Sequence, residues 1–146
     1  MITLIPGKTI DPGFVAEALA DAAARYDLRA IAFDRWRIED LKRELAAIGI
    51  ELPLVPHGQG FQDMSPAVDV LERMVAEAKL RHGGNPVLQM CAANAVVTLN
   101  PAGWRKLDKA KAAGRIDGLV ALAMALGVAS RHEPEALPAC LAELVE

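Results

Sequence analysis

Two short apolar runs, Leu28 to Phe33 and Ile50 to Val55, lie either side of a helical pattern and constrain the fold of this chain more than any other feature. The first is almost continuously apolar, the pattern of a strand covered on both faces in a parallel sheet. Between the runs, from about Trp36 to Ile48, Ile38, Leu41, Leu45 and Ile48 recur at helical spacing, and Gly49 follows as a C-terminal stop. A strand, a crossover helix and a second strand argue for an α/β sheet. Pro53 in the second run points to an edge position.

The remaining elements fit around this unit. Ile2-Thr-Leu-Ile5 reads as a short strand broken at Pro6-Gly7, and Asp11-Pro12 as an N-cap followed by proline at the first helical position. The helix so started carries Phe14, Val15, Ala18, Leu19, Ala22 and Tyr26 on one face. A third helix, capped by Asp63 or Ser65, lines up Met64, Val68, Leu71, Val75 and Ala78, and gives way at His82-Gly-Gly-Asn-Pro86. There the glycines stop one helix and the proline restarts the next, the alternative being a backbone nest for an anion. A short helix to about Ala93, a strand from Ala95 to Leu99, a turn at Asn100-Pro-Ala-Gly103 and a basic loop then lead to the apolar helix Gly114 to Gly127. The tail from about Arg131 contains Pro134, Pro138 and a short amphipathic piece, Leu137 to Leu144.

At 146 residues and 53% apolar composition the chain is expected to fold as one domain, residues 1–130, followed by the tail 131–146. No apolar run approaches the roughly 20 residues of a spanning helix, and no signal core follows the N-terminus, so a cytoplasmic location is expected. A net charge of -3 argues against coating nucleic acid by bulk electrostatics and leaves room for a local basic patch. Cys91 and Cys140 lack metal-ligand spacing and read as reduced packing thiols.

Two carboxylates stand out. Asp34 follows the first apolar run, at the strand end where ligands and catalytic groups gather in open α/β sheets. Asp117 is the one acid of the apolar helix and lies near its entry. Each has a plain structural role open to it, as a helix cap or a partner of the helix dipole. Each is also suited to bind a hard divalent cation.

The motifs Phe33-Asp-Arg-Trp36, Gln59-Gly-Phe61, Met64-Ser-Pro-Ala67, His82-Gly-Gly-Asn-Pro86, Ala93-Asn-Ala-Val-Val97, Asp108-Lys-Ala-Lys111 and Arg115-Ile-Asp-Gly118 occur in one order and spacing. In that register the chain, from about Pro6 to Ala129, resembles the nuclease domain of the large terminase subunit of tailed bacteriophages. The resemblance implies a ribonuclease H-like α/β fold, with an incomplete sheet flanked by helices. It further implies a phage or prophage endonuclease that cuts double-stranded DNA during genome packaging with Mg2+ or Mn2+. Its partners would be the terminase ATPase domain, the small terminase subunit and the portal, in a bacterial host. Two cations about 4 Å apart need several converging oxygen ligands. Asp34 matches the family's second acid and Asp117 its last. The family's first acid lies on the opening strand of a meander that precedes the residues seen here, so the isolated chain is expected to be a weak or inactive nuclease. The meander's first strand would pair beside Leu28 to Phe33. An open edge there is expected either to take back Met1 to Ile5 or to support self-association.

Lys106, Lys109, Lys111 and Arg115 precede or flank Asp117, and Arg35 and Arg37 flank Asp34. They are candidate phosphate contacts, or solvated surface charges. His57 and His82 read as surface loop residues, and Trp36 and Trp104 as packing groups. No GxxxxGK[ST] phosphate loop is present, so ATP hydrolysis is not expected of this chain. The competing functions are a non-catalytic remnant that contacts DNA or docks a protein, and a flavodoxin-like small-molecule binder that uses Gly58-Gln-Gly60 and Gly83-Gly84.

Overall fold

The computed structural model describes residues 9–36 and 38–131. Helix α1 (Pro12–Arg25) starts as predicted: the Asp11 carboxylate accepts the Gly13 N–H at 2.9 Å, and Pro12 takes a position that needs no intrahelical acceptor. The apolar face expected of it is largely left outside, with Tyr26 67% exposed and Ala16 the buried residue. The reason is its neighbour. Helix α2 (Ile38–Ala47) packs against α1 and buries Leu45, and this close contact is made on the side of α1 that carries small residues. Gly49 ends α2 at φ 71°, a left-handed turn in which the Ile50 N–H reaches back to Leu45 O at 2.9 Å.

Strands β1 (Ile31–Phe33) and β2 (Leu54–Pro56) pair in parallel, with Ile31 opposite Leu54 and Phe33 opposite Pro56. The Ile31 N–H donates to Pro53 O and the His57 N–H to Phe33 O, each at 2.8 Å, which extends the ladder at both ends. Both strands are shorter than the apolar runs that contain them. β1 is half-buried, where cover on both faces was expected, and β2 is half-buried at Leu54 and Val55 and exposed at Pro56. Among the described residues β1 has β2 as its one strand neighbour, so the opposite edge of β1 is unpaired there. The proposed return of Met1 to Ile5 onto that edge, and the tail from residue 132, lie outside the described residues.

Helix α3 (Phe61–Ala76) begins before both of its predicted caps, with Gly60 at the N-cap and no side-chain cap bond. Asp63 instead stands in the first turn, where a negative charge suits the helix dipole. Ser65 Oγ accepts the Arg105 N–H at 3.2 Å. Helix α4 (Pro86–Asn94) restarts the chain as predicted, with Asn85 Oδ1 accepting the Val87 and Leu88 N–H groups at 3.0 and 3.2 Å.

Strand β3 (Val97–Leu99) pairs antiparallel with β4 (Arg105–Leu107), a strand where the sequence suggested a basic loop. An Arg-Lys-Leu triplet carries no alternation strong enough to reveal a strand. The pairing comes from its partner, from a turn with Gly103 at φ 81°, and from Arg105, which bonds Asp69 and Glu72 of α3.

The last element, α5 (Asp117–Ala129), forms the main core with α3. Met64, Ala67, Val68 and Leu71 meet Leu107, Ile116, Val120, Ala123 and Met124, and Ala32 of β1 packs against this group. The two helices cross closely at Gly127, where a Cβ would stand 2.8 Å from Ala67 Cβ and 3.0 Å from His57 Nε2. No helix among the described residues is long and apolar enough to cross a membrane.

Candidate nuclease site

Asp34 leaves β1 at its carboxyl end, exposed to solvent. Its carboxylate is held from two sides. Oδ2 accepts the side-chain N–H of Gln59 at 2.6 Å, and Oδ1 accepts the Trp36 backbone N–H at 3.3 Å, closing a turn towards α2. Gln59 follows β2 as Asp34 follows β1, so the parallel register brings these two side chains together over 25 residues of sequence. Between them in the chain, Gly58 lies so close to Asp63 that a Cβ would fall 2.3 Å from its Oδ2.

His57 is not the surface residue that its loop position suggested, for it is 1% exposed. Nδ1 lies 2.9 Å from Gly58 O, and this contact makes Nδ1 the protonated nitrogen. Nε2 is then left as a buried acceptor without a partner among the described residues, facing the glycine in the last turns of α5. His57 therefore acts as a packing group between the end of β2 and α5. His82 is exposed, as expected.

Asp117 opens α5, where its charge complements the helix dipole. The adjoining Ile116 is 2% exposed and anchors this turn in the core. Lys109 Nζ lies 2.9 Å from Asp117 Oδ1. This charged hydrogen bond, with smaller help from Arg115, holds the Asp117 carboxyl below the usual carboxylate range despite some opposing burial. The approach to α5 is fixed by Asn94, whose backbone carbonyl accepts the Ala113 N–H at 3.2 Å and whose side-chain N–H reaches Arg115 O at 3.4 Å. Gly114 sits under that amide, with a virtual Cβ only 2.7 Å from Asn94 Nδ2.

The other candidate cations are spread around this loop. Lys106 lies on β4 with Nζ 4.9 Å from the centre of the Phe61 ring. Lys111 follows Asp108, whose Oδ1 accepts the Ala110 and Lys111 N–H groups at 3.0 and 3.3 Å. Thr98 Oγ1 donates to Asp108 Oδ2 at 2.8 Å, and this bond leads the causes that hold the Asp108 carboxyl below its usual range. Arg35 is exposed beside Asp34. Asp34 and Asp117 thus have separate sets of partners, Gln59 and Trp36 for one and Lys109 for the other.

As ligands, the two acids suit a hard divalent cation in kind, since both offer carboxylate oxygen. They do not suit it in number. No group of three or more His, Cys, Asp or Glu side chains that could hold a metal ion is found among the described residues. Cys91 is buried as a free thiol, as expected.

The sequence model of the terminase large subunit endonuclease domain matches residues 7–133. The chain belongs to this family. It is 51% identical over 135 residues to the terminase large subunit of Enterobacteria phage HK97, covering 92% of this chain and 27% of that protein. It is 28% identical over 137 residues to protein YmfN of Escherichia coli strain K12, covering 92% of this chain and 30% of that one. The crystal structure of the HK97 large terminase superposes with a TM-score of 0.80 at 52% identity, over 85% of this chain and 26% of the other. The chain therefore spans about 30% or less of the proteins it matches. The terminase nuclease fold is ribonuclease H-like, and here it consists of small sheets flanked by helices.

Within this terminase nuclease domain, two residues gain roles that sequence reading had not given them. Gln59 belonged to a recognised motif but had no function until the β1–β2 register placed it on Asp34. Asn94 likewise belonged to a recognised motif without a role, and it holds the loop that delivers Asp117. Gly114, which lies against the Asn94 amide, was an available signal for the second residue, and none pointed to the first. Gly58 and Gly114 each lie against a polar side chain that a larger residue would displace.

Proposed function

We propose that this terminase nuclease domain takes part in metal-dependent cutting of double-stranded DNA during phage genome packaging, with Asp34 and Asp117 as its acidic contributions. The observation that carries this is the placement of the two family-matched acids. Asp34 follows β1 directly, and Asp117 opens α5, the helix packed against that same strand. Mg2+ or Mn2+ would supply activation of water and stabilisation of the leaving oxygen. Further ligands must come from outside the described residues, since two acids do not complete such a centre.

The chain's own residues orient the acids and attract the substrate. Gln59 fixes Asp34, Lys109 pairs with Asp117, and Lys106, Lys111, Arg115 and Arg35 offer positive charge to the phosphate backbone. The ATPase domain, small terminase subunit and portal are the partners of this role.

One observation favours a second function, a non-catalytic DNA-contact or protein-docking module: both acids already have partners within the chain. The deciding experiment compares Mn2+ binding and nicking of supercoiled plasmid by the chain alone and by the chain joined to the preceding strands of a family relative. Asp34→Asn and Asp117→Asn are made in both. Cutting by the joined protein that either substitution abolishes establishes the nuclease function. Absence of metal binding in the joined protein, with the substitutions altering stability alone, establishes the second.

A further inference from the structure

We propose that Trp36 is a nucleic-acid contact, its indole stacking on the sugar and base edge next to the phosphodiester that Asp34 faces, with Arg35 pairing a neighbouring phosphate. The inference rests on the DNA-directed function above.

Trp36 was expected to be a packing group, and the structure shows the opposite. It is 81% exposed, more than any other large apolar side chain among the described residues. Its position is tied to the candidate acid, because its own backbone N–H is the donor to Asp34 Oδ1 at 3.3 Å. Gln59 holds the other oxygen of the same carboxylate, so acid and indole share one braced turn at the end of the parallel strands. A tryptophan left in water at such a place forgoes a large apolar burial, which a bound partner restores.

The setting favours nucleic acid over protein as that partner. Aromatic anchors of protein interfaces sit in the middle of an apolar patch that excludes water. Trp36 instead follows an exposed carboxylate and an exposed arginine. A lone ring beside a cation suits a nucleotide, whose sugar and base offer apolar faces and whose phosphate takes the charge. In a duplex the same contact is made from the minor groove, where apolar side chains press on sugars and base steps. Such stacking is sequence-tolerant, because every base has a π-face.

The chain has two tryptophans, so Trp104→Phe leaves Trp36 as the one indole reporter. We would titrate that protein with a duplex oligonucleotide and follow Trp36 emission. In parallel, the duplex affinity of Trp36→Ala and Trp36→Phe would be measured by fluorescence anisotropy over a salt series. The expected result is a change in Trp36 emission that saturates with binding. Trp36→Ala should weaken affinity about tenfold with the salt slope unchanged, and Trp36→Phe should retain most of it. Binding with no emission change, and with Trp36→Ala equal to the parent, overturns the stacking contact and leaves the DNA-directed function standing. Absence of duplex binding overturns both. An emission change that follows protein concentration without DNA assigns Trp36 to a protein interface and overturns the inference.

Discussion

Gln59 and Asp34, each just beyond the end of one of two neighbouring parallel strands, are joined by a hydrogen bond of 2.6 Å from Gln59 Nε2 to Asp34 Oδ2. The bond is exposed, so its weight in stability is small, about 1 kcal/mol or less. Its weight in geometry is larger, because it selects one orientation of a side chain that solvent would otherwise leave mobile. Gln59→Leu should therefore lower the melting temperature by about 3 °C or less while Asp34 loses its single rotamer in a crystal structure or by NMR. The effect of Gln59→Glu should depend on pH. Two carboxylates in contact repel at pH 7, and a proton shared between them on acidification restores a hydrogen bond, so urea unfolding should show a deficit that shrinks as pH falls.

The helix crossing at Gly127 has room for hydrogen alone. Gly127→Ala places a methyl 2.8 Å from Ala67 Cβ and should cost about 1–3 kcal/mol in urea unfolding, despite the better helix propensity of alanine. Ala67→Gly in the same chain should recover part of that loss, a non-additivity that marks direct contact. Gly118→Ala serves as the control. Its Cβ would meet Cys91 Sγ at an ordinary 3.4 Å, and the change should be neutral or stabilising by about 0.5 kcal/mol.

Acid should weaken the fold through two carboxylates. Lys109 holds Asp117, and Thr98 holds Asp108, below the ordinary carboxylate range in the folded chain. A group depressed on folding stabilises above its unfolded pKa, and that contribution is lost as pH falls through the folded value. The loss should thus begin near pH 4 and continue below it. Lys109→Gln and Thr98→Val should each flatten this acid limb when urea midpoints are compared between pH 6 and pH 2.5. A steeper limb in either variant would refute the assignment.

Ile116 ties the site to the core. It is 2% exposed and adjoins Asp117, so Ile116→Ala should cost about 2–4 kcal/mol by chemical denaturation, and Ile116→Val about 1 kcal/mol. Asp117→Asn changes charge without emptying a core position. It should leave the midpoint at neutral pH far less affected than Ile116→Ala does.

Local chemistry made much of this fold legible in the sequence. Asp11-Pro12 and Asn85-Pro86 start helices where they should, and Gly49 ends one with the positive φ that glycine permits. Asp34 and Asp117 fall at a strand end and a helix start as their neighbours implied. The misses came where tertiary contacts overrode pattern. Arg105–Leu107 becomes a strand because β3 and two acids of α3 hold it. His57 is buried because α5 presents a glycine to it, and Tyr26 is exposed because α1 meets its neighbour through small residues. The link from Gln59 to Asp34 depends on strand register, which periodicity alone does not reveal.

The unequal packing of the two halves has a consequence for motion. Asp117 opens a helix locked into the α3–α5 core, whereas Asp34 hangs from a three-residue, two-stranded ladder. Amide hydrogens of α3 and α5 should then exchange with solvent most slowly, at the free energy of global unfolding, and those of β1 and β2 sooner, through partial opening. Ala32 still ties β1 to that core, so exchange in β1 that is faster than in α5 would show that the ladder can open, and move Asp34 relative to Asp117, without global unfolding. Among the described residues the other edge of β1 is unpaired, and a strand that joined it would slow that opening and couple the two carboxylates more tightly.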